Sequence, residues 1–270
     1  MPVLTVNGVT LNTLDEGRGD AVIFLHGLGS CGEDWIFQTV HFCAIYRVVA
    51  PDLRGHGRSS KPAGPYSIAL FASDVAALLA ALSIERAHVV GLSLGGLVAQ
   101  QMALDFPERV RSLALTSAFA HLLSADVRRL AQLAWRGILS LVLPLERSAP
   151  IVAKSLFPFP HQAALRHTAA ARIAANDRAA YRSSIAAIRR FDSRRRLHRI
   201  TCPTLIVSGD RDRTVPRSLQ SRLAQGIPGA RWEIVRDSGH ATPIDQPDAY
   251  NALLESFLSD VCAPLAGSGY

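Results

Sequence analysis

Ser93 lies in a glycine-rich run whose residue types and spacing could support nucleophilic catalysis. The run Gly91–Gly96 reads GLSLGG, follows an apolar stretch that ends at Val90, and precedes a helical pattern that begins at Leu94. A sharp turn from strand to helix needs glycines, because Cβ atoms would clash there, and such a turn lifts the serine hydroxyl above the sheet. The pattern predicts that Ser93 is a nucleophile. The alternative is a glycine-rich anion-binding turn at a helix N-terminus.

A base and an acid that could activate this serine follow later in the chain. A serine hydroxyl is a poor nucleophile at neutral pH until an imidazole accepts its proton. The expected chain order is serine, acid, histidine, and of the nine histidines only His240 follows both candidate acids, in a loop after the stretch that ends at Val235. The candidate acids, Asp210 and Asp212, follow the apolar run Leu205–Ser208. Asp212 is the better placed to orient the imidazole, and we expect Asp210 to anchor the turn.

Acyl transfer also needs two hydrogen-bond donors for the oxyanion of the tetrahedral intermediate. The backbone N–H of Leu94, directly after the serine, is one candidate. The segment His26–Ser30, which reads HGLGS after another apolar run, offers the second, and we assign it to the backbone N–H of Leu28. We expect His26 to brace this loop rather than to act in catalysis.

The elements that must position these residues alternate between strand and helix patterns. The dipeptide Asn7-Gly8 separates two strand-like runs and favours a tight hairpin turn. Short apolar runs typical of strands buried on both faces are Ala21–Leu25, Arg47–Ala50, His88–Val90, Leu113–Thr116, Leu205–Ser208 and Trp232–Val235. Helical patterns lie at Ser67–Leu82, Leu94–Phe106 and Pro247–Leu258. This alternation predicts an α/β protein with a doubly wound, mostly parallel sheet.

The alternation stops between residues 119 and 200, where no strand pattern occurs. Helical patterns at Ser124–Leu143, His161–Ala175 and Arg178–Arg190 are separated by prolines at 144, 150, 158 and 160. We therefore predict a core of residues 1–118 and 201–270, with residues 119–200 inserted as an all-helical lid over the carboxyl edge of the sheet. Three aromatic residues of the lid, Phe119, Trp135 and Phe157, are candidates for shaping the substrate pocket. The alternative for each is ordinary packing within the lid.

The positive charge of the chain is concentrated in the predicted lid. The formal net charge is +7 and the pI about 9.7, but residues 119–200 carry fourteen arginines and one lysine against four acids, whereas the rest of the chain has a net charge of −4. Such a surface could steer an anionic partner; an arginine-rich composition is the alternative explanation. No nucleic-acid-binding motif accompanies the charge, so we expect no nucleic-acid partner.

Composition excludes several other classes. The hydrophobic fraction of 49% excludes global disorder. The four cysteines show no metal-binding spacing, which predicts reduced thiols, no metal site and no disulfide scaffold. We see no signal peptide and no apolar stretch of about 18 residues, so we expect a cytoplasmic protein with no membrane contact. The proposed chemistry needs no cofactor, and the oligomeric state is left open.

Five segments together resemble the α/β-hydrolase fold family over nearly the whole chain. They are HGLG at 26–29, PDLRGHGRS at 51–59, the Ser93 turn, Gly209–Pro216, and SGH at 238–240. The resemblance is closest to members with a serine nucleophile, such as esterases and lactonases. It disfavours members with an aspartate nucleophile, and also the carbon–carbon bond hydrolases, although it does not exclude the latter.

Three functional hypotheses follow from these residues. The first is a cofactor-free serine hydrolase that cleaves a small carboxylic ester or lactone through an acyl-enzyme. The second is an esterase or lyase that acts on an anionic substrate or one linked to an acidic carrier protein, similar to acyl-carrier methyl-esterases or the menaquinone-pathway enzyme of this fold. The third is a non-catalytic, ligand-binding member of the fold. Turnover of short esters distinguishes the first hypothesis from the third, and the salt dependence of kcat/KM distinguishes it from the second.

Overall fold

One sheet organises the residues described by the computed structural model, 3–122 and 143–262. Its strands are β1 (Val3–Val6), β2 (Val9–Glu16), β3 (Ala21–Leu25), β4 (Arg47–Pro51), β5 (Ala87–Leu92), β6 (Val110–Thr116), β7 (Thr204–Gly209) and β8 (Arg231–Val235). They lie in the order β1-β2-β4-β3-β5-β6-β7-β8. β2 is antiparallel to β1 and to β4, and every other neighbouring pair is parallel. The loops after β3, β5, β7 and β8 therefore emerge at the same edge.

Helices cover both faces of this sheet. They are α1 (Ile36–Phe42), α2 (Ile68–Ala81), α3 (Leu94–Asp105), α4 (Leu145–Leu156), α5 (Ala163–Ala174), α6 (Arg178–Arg190), α7 (Arg217–Gly226), α8 (Thr242–Asp245) and α9 (Pro247–Cys262). Alternate residues of β3 belong to two separate cores: Ile23 packs in the core that contains α2 and α3, and Phe24 packs in the core that contains α1 and α9. Strand residues point alternately to opposite faces, so the predicted doubly wound, mostly parallel sheet is confirmed.

Two predicted features differ in the structure. β8 forms the edge of the sheet, and only Val235 within it is buried, so the expectation that this strand is buried on both faces was wrong. Pro150 does not separate two helices but lies inside α4. Proline removes one N–H donor and so leaves only the Glu146 carbonyl without its intrahelical partner. The buried stripe of Leu145, Ala149 and Ala153, spaced four residues apart, holds this helix in place.

Between β6 and β7 the described residues form α4, α5, α6, two short 3₁₀ turns and one isolated bridge. We call residues 119–200 the insertion. Its two ends meet where the Ser193 N–H donates to the Ala120 carbonyl at 2.9 Å. The predicted helix Ser124–Leu143 lies, except for its last residue, outside the described ranges, and the division at residues 119 and 200 stays a prediction. None of the helices within 3–122 and 143–262 has both the length and the hydropathy needed to cross a membrane.

Candidate active site

Ser93 occupies the turn between β5 and α3 in a strained conformation. Its φ of 53° and ψ of −111° are rare for a residue with a side chain and cost about 1–3 kcal/mol. Neighbouring glycines make the turn possible, since a Cβ atom on Gly95 would overlap the Leu25 carbonyl and one on Gly91 would overlap the Gly95 carbonyl. The Ser93 N–H donates to the Thr116 carbonyl at 2.9 Å. The turn thus fixes Ser93 at the carboxyl end of β5.

His240 lies in the loop after β8 and is held from two sides. Its Nδ1 lies 3.0 Å from Oδ2 of Asp212, and its backbone N–H donates to the Leu156 carbonyl at the end of α4 at 3.0 Å. The ring is buried. A carboxylate only accepts hydrogen bonds, so the proton is assigned to Nδ1, and Nε2 is left as the acceptor.

The groups around Asp212 stabilise its carboxylate form behind this imidazole. Its Oδ1 accepts the N–H groups of Thr214 at 2.7 Å and Val215 at 3.0 Å, and its Oδ2 accepts from Gln220 Nε2 at 3.3 Å as well as from His240. Burial is the largest influence and by itself would raise the pKa of Asp212. The charge and hydrogen bond of His240, with the two backbone amides, outweigh burial and lower the pKa.

Asp210 takes a different place in the same loop. Its Oδ1 accepts the N–H of Ser238 at 3.2 Å, its own N–H donates to the Val235 carbonyl at 2.9 Å, and Arg211 lies 3.5 Å from its other oxygen. The structure therefore places Asp212 against His240 and Asp210 in the contacts that join the two loops, which is the arrangement expected from the spacing.

Two backbone amides are available near the serine. Leu94 opens α3, so its N–H has no intrahelical acceptor. Leu28 lies in the loop after β3, where His26 is braced: its Nδ1 lies 2.8 Å from the Gly27 carbonyl, and its Nε2 accepts the Leu53 N–H at 2.9 Å. Burial lowers the pKa of His26, so the ring stays neutral and holds the loop, as the sequence predicted.

A cavity of about 550 Å³ lies over this edge of the sheet. Ser93, His240 and Leu28 all line it, whereas Asp212 lies behind His240. Two of the predicted pocket aromatics, Phe119 and Phe157, also line it and are otherwise buried. The third, Trp135, lies outside the described residues. The volume falls within the range usual for small-molecule sites.

Sequence reasoning missed the residues that join the insertion to the site. The Asp245 carboxylate accepts the Gly239 N–H at 2.6 Å and the Ser238 hydroxyl at 2.9 Å, and Gln162 of the insertion reaches it at 3.4 Å. Burial raises the pKa of Asp245. Asn176 donates to the Gly29 carbonyl at 3.0 Å. An acid five residues after His240 was a visible signal, but contacts with the insertion are long-range and leave no local pattern.

Within the described residues, one group of side chains has a geometry that could hold a metal ion. Donor atoms of Asp20, His88 and Cys262 all lie within 4.8 Å of one another. Asp20 and His88 lie at the amino ends of β3 and β5, at the edge of the sheet opposite Ser93. Arg111 already binds the Asp20 carboxylate at 2.6 Å and supplies the positive charge that a cation would bring there.

Comparisons with known proteins bear on the fold and the family of the chain. The family described as alpha/beta hydrolase fold matches residues 20–247. A relative named "Putative carbamate hydrolase RutD" from Variovorax paradoxus is 35% identical, covering 91% of this chain and 94% of the relative. The 3-oxoadipate enol-lactonase 2 of Acinetobacter baylyi is 30% identical, with 94% and 95% covered. The crystal structure of the enol-lactonase from Burkholderia xenovorans LB400 superimposes with a TM-score of 0.88 at 28% identity and covers 96% of this chain and 100% of that one. The chain is a hydrolase of the α/β hydrolase fold family.

Proposed function

We propose that this hydrolase cleaves a carboxylic ester or lactone through an acyl-enzyme on Ser93. One observation carries the proposal: Ser93, in its strained turn, lines the same cavity as His240, and the Nδ1 of His240 lies 3.0 Å from a carboxylate oxygen of Asp212. A nucleophile, a base and an orienting acid are the three parts that serine hydrolysis requires. The relatives named enol-lactonases support a substrate with an activated acyl–oxygen bond.

In the proposed reaction, the Ser93 hydroxyl attacks the carbonyl carbon while the Nε2 of His240 accepts its proton. Asp212 keeps the imidazole in the required tautomer and stabilises its charged form without taking the proton itself. His240 then donates the proton to the leaving alkoxide, which in a lactone stays attached to the acyl group. Water activated by His240 cleaves the acyl–Ser93 bond and restores the free serine.

The backbone amides of Leu28 and Leu94 stabilise the oxyanion in both steps. Removing one such donor typically costs about 10²–10³ in kcat. The loop that carries Leu28 is held by Asp52, which accepts the Gly32 N–H at 2.8 Å and the Asn12 amide at 2.9 Å. This support matters because oxyanion stabilisation depends on donors that are already in position.

The test is turnover of p-nitrophenyl esters and simple lactones by the native chain, by Ser93→Ala and by Ser148→Ala. Ser148 lines the same cavity, and its hydroxyl donates to the Leu145 carbonyl, so it is a matched control. We expect Ser93→Ala to lose about 10⁴–10⁶ in kcat and Ser148→Ala to stay within a few-fold of native. Equal activity of the two variants would contradict the proposal, and absence of turnover in the native chain would favour the ligand-binding hypothesis.

A further inference from the structure

Four charged side chains form a cluster where the insertion meets the segment after β3. Arg172 of α5 lies 3.2 Å from an oxygen of Asp34 and 3.4 Å from one of Glu33. Arg58 binds the other oxygen of Glu33. Two positive and two negative charges thus cancel within the cluster. We call Glu33, Asp34, Arg58 and Arg172 the charge cluster.

The charge cluster forms part of the cavity wall. Glu33, Asp34 and Arg172 all line the cavity that Ser93 lines. Asp34 is also tied to the loop after β3, because it accepts the hydroxyl of Ser30 at 2.5 Å. Arg172 is about one-third exposed at its side chain, so both of its bonds are partly shielded from water, which strengthens them relative to surface pairs.

Among residues 3–122 and 143–262, the remaining wall is mostly apolar. Most of the other lining side chains carry no polar atom; they include Ile36, Phe37, Val152, Leu165, Ile173 and Ile185. Arg189 also lines the cavity, but it is exposed, so water and salt screen its charge. At the part of the wall that Arg172 forms, Glu33 and Asp34 therefore balance the positive charge that this arginine of the insertion contributes.

We propose that the charge cluster selects uncharged substrates, and that the substrate class is a neutral ester or lactone with an extended apolar acyl group. This inference rests on the proposed function. An anionic substrate would lose its hydration on entering the cavity, and at this wall it would meet an arginine already bound to two carboxylates. A neutral acyl chain instead gains from the apolar wall, by about three- to fourfold in kcat/KM for each methylene that is fully buried.

The experiment compares two p-nitrophenyl esters of equal length, the hexanoate and the adipate monoester, which carries a terminal carboxylate. At low ionic strength we expect the native chain to prefer the neutral ester by more than tenfold in kcat/KM. Glu33→Gln removes one acid from Arg172 and Arg58. We expect it to raise the relative kcat/KM for the anionic ester about two- to fivefold, because Glu33 is partly exposed and water screens its charge. Added salt should reduce that gain.

Asp192→Asn is the matched control, because Asp192 also forms an ion pair with an arginine of the insertion, Arg194, at 2.6 Å, but does not line the cavity. We expect it to leave the ratio of the two esters unchanged. Arg189→Gln tests the exposed arginine, and we expect the preference for the neutral ester to persist.

The failures of the two proposals can be told apart. Absence of hydrolysis of either ester by the native chain would refute the proposed function. Hydrolysis with equal or greater kcat/KM for the anionic ester would leave the proposed function standing and overturn the inference. An unchanged ratio in Glu33→Gln, or an equal change in Asp192→Asn, would also overturn the role of the charge cluster.

Discussion

Asp212→Asn tests how the acid orients the base. In the native protein, Oδ1 of Asp212 accepts the N–H groups of Thr214 and Val215 at 2.7 and 3.0 Å. An asparagine at this position can place either its oxygen or its NH₂ group against these two N–H groups. If the asparagine oxygen takes that place, its NH₂ group faces Nδ1 of His240 and donates to it. The imidazole proton then moves to Nε2, and the ring no longer accepts a proton from Ser93.

The opposite orientation keeps the productive tautomer but leaves two buried N–H groups without acceptors, at about 1–3 kcal/mol each. The total of about 2–6 kcal/mol corresponds to a loss in kcat of about 30-fold to about 2 × 10⁴-fold. In the unproductive orientation the NH₂ group would also face Nε2 of Gln220, which donates to Oδ2 in the native protein. This contact between two donors disfavours that orientation, so we expect a loss in the lower half of the range.

The assay is steady-state hydrolysis of a p-nitrophenyl ester, with circular dichroism to confirm that each variant is folded. Asp210→Asn is the matched control, because it lies in the same loop and contacts Ser238 and Arg211. We expect it to cost less than about tenfold, since Asp210 forms a partly buried hydrogen bond and an ion pair with an exposed arginine, and neither contacts His240. A greater loss in Asp210→Asn than in Asp212→Asn would refute the assignment.

Three further predictions concern other parts of the molecule. Burial lowers the pKa of His88 from 6.5 to about 4. As the pH falls from 6.5 towards 4, the unfolded chain takes up this proton before the folded chain does, so the free energy of unfolding decreases. In urea unfolding, His88→Gln should remove about 2 kcal/mol of the decrease between pH 7 and pH 5. Burial raises the pKa of the Cys31 thiol to about 12, so peptide mapping after treatment with a thiol reagent at pH 8 should find it unmodified in the folded chain and modified in urea. Gly29→Ala should lower kcat at least tenfold, because the new Cβ would lie 2.9 Å from a ring carbon of Tyr181. Gly8 has a similar φ but open space around it, so Gly8→Ala should leave kcat unchanged.

Local patterns predicted the parts of the fold that depend on local chemistry. The predicted helix Ser67–Leu82 is α2 with Ser67 as its N-cap, whose hydroxyl accepts the Leu70 N–H at 3.0 Å. The strand–turn–helix around Ser93 could be predicted because the turn has no room for a Cβ atom at Gly91 or Gly95. The acid loop likewise depends on a short segment, in which Asp212 accepts N–H groups only two and three residues ahead.

Other features depend on residues far apart in the chain. The sequence did not predict α1 and α7, and it treated Pro150 as a boundary, because the burial that stabilises α4 comes from tertiary packing. The contacts of Asp245 with Gln162 and of Asn176 with Gly29 join the core to the insertion across more than 80 residues. The pairing of Arg172 with Glu33 and Asp34 could not be predicted from the net charge of the insertion, because both acids lie in the core.

The most direct test of the account is the identity of the residue that forms the covalent intermediate. A fluorophosphonate reacts with an activated serine, and peptide mass spectrometry then locates the adduct. We predict a single adduct on Ser93 of the native chain, loss of that adduct in Ser93→Ala, and strong reduction in Asp212→Asn. An adduct on another residue, or labelling that persists unchanged in Ser93→Ala, would contradict the account.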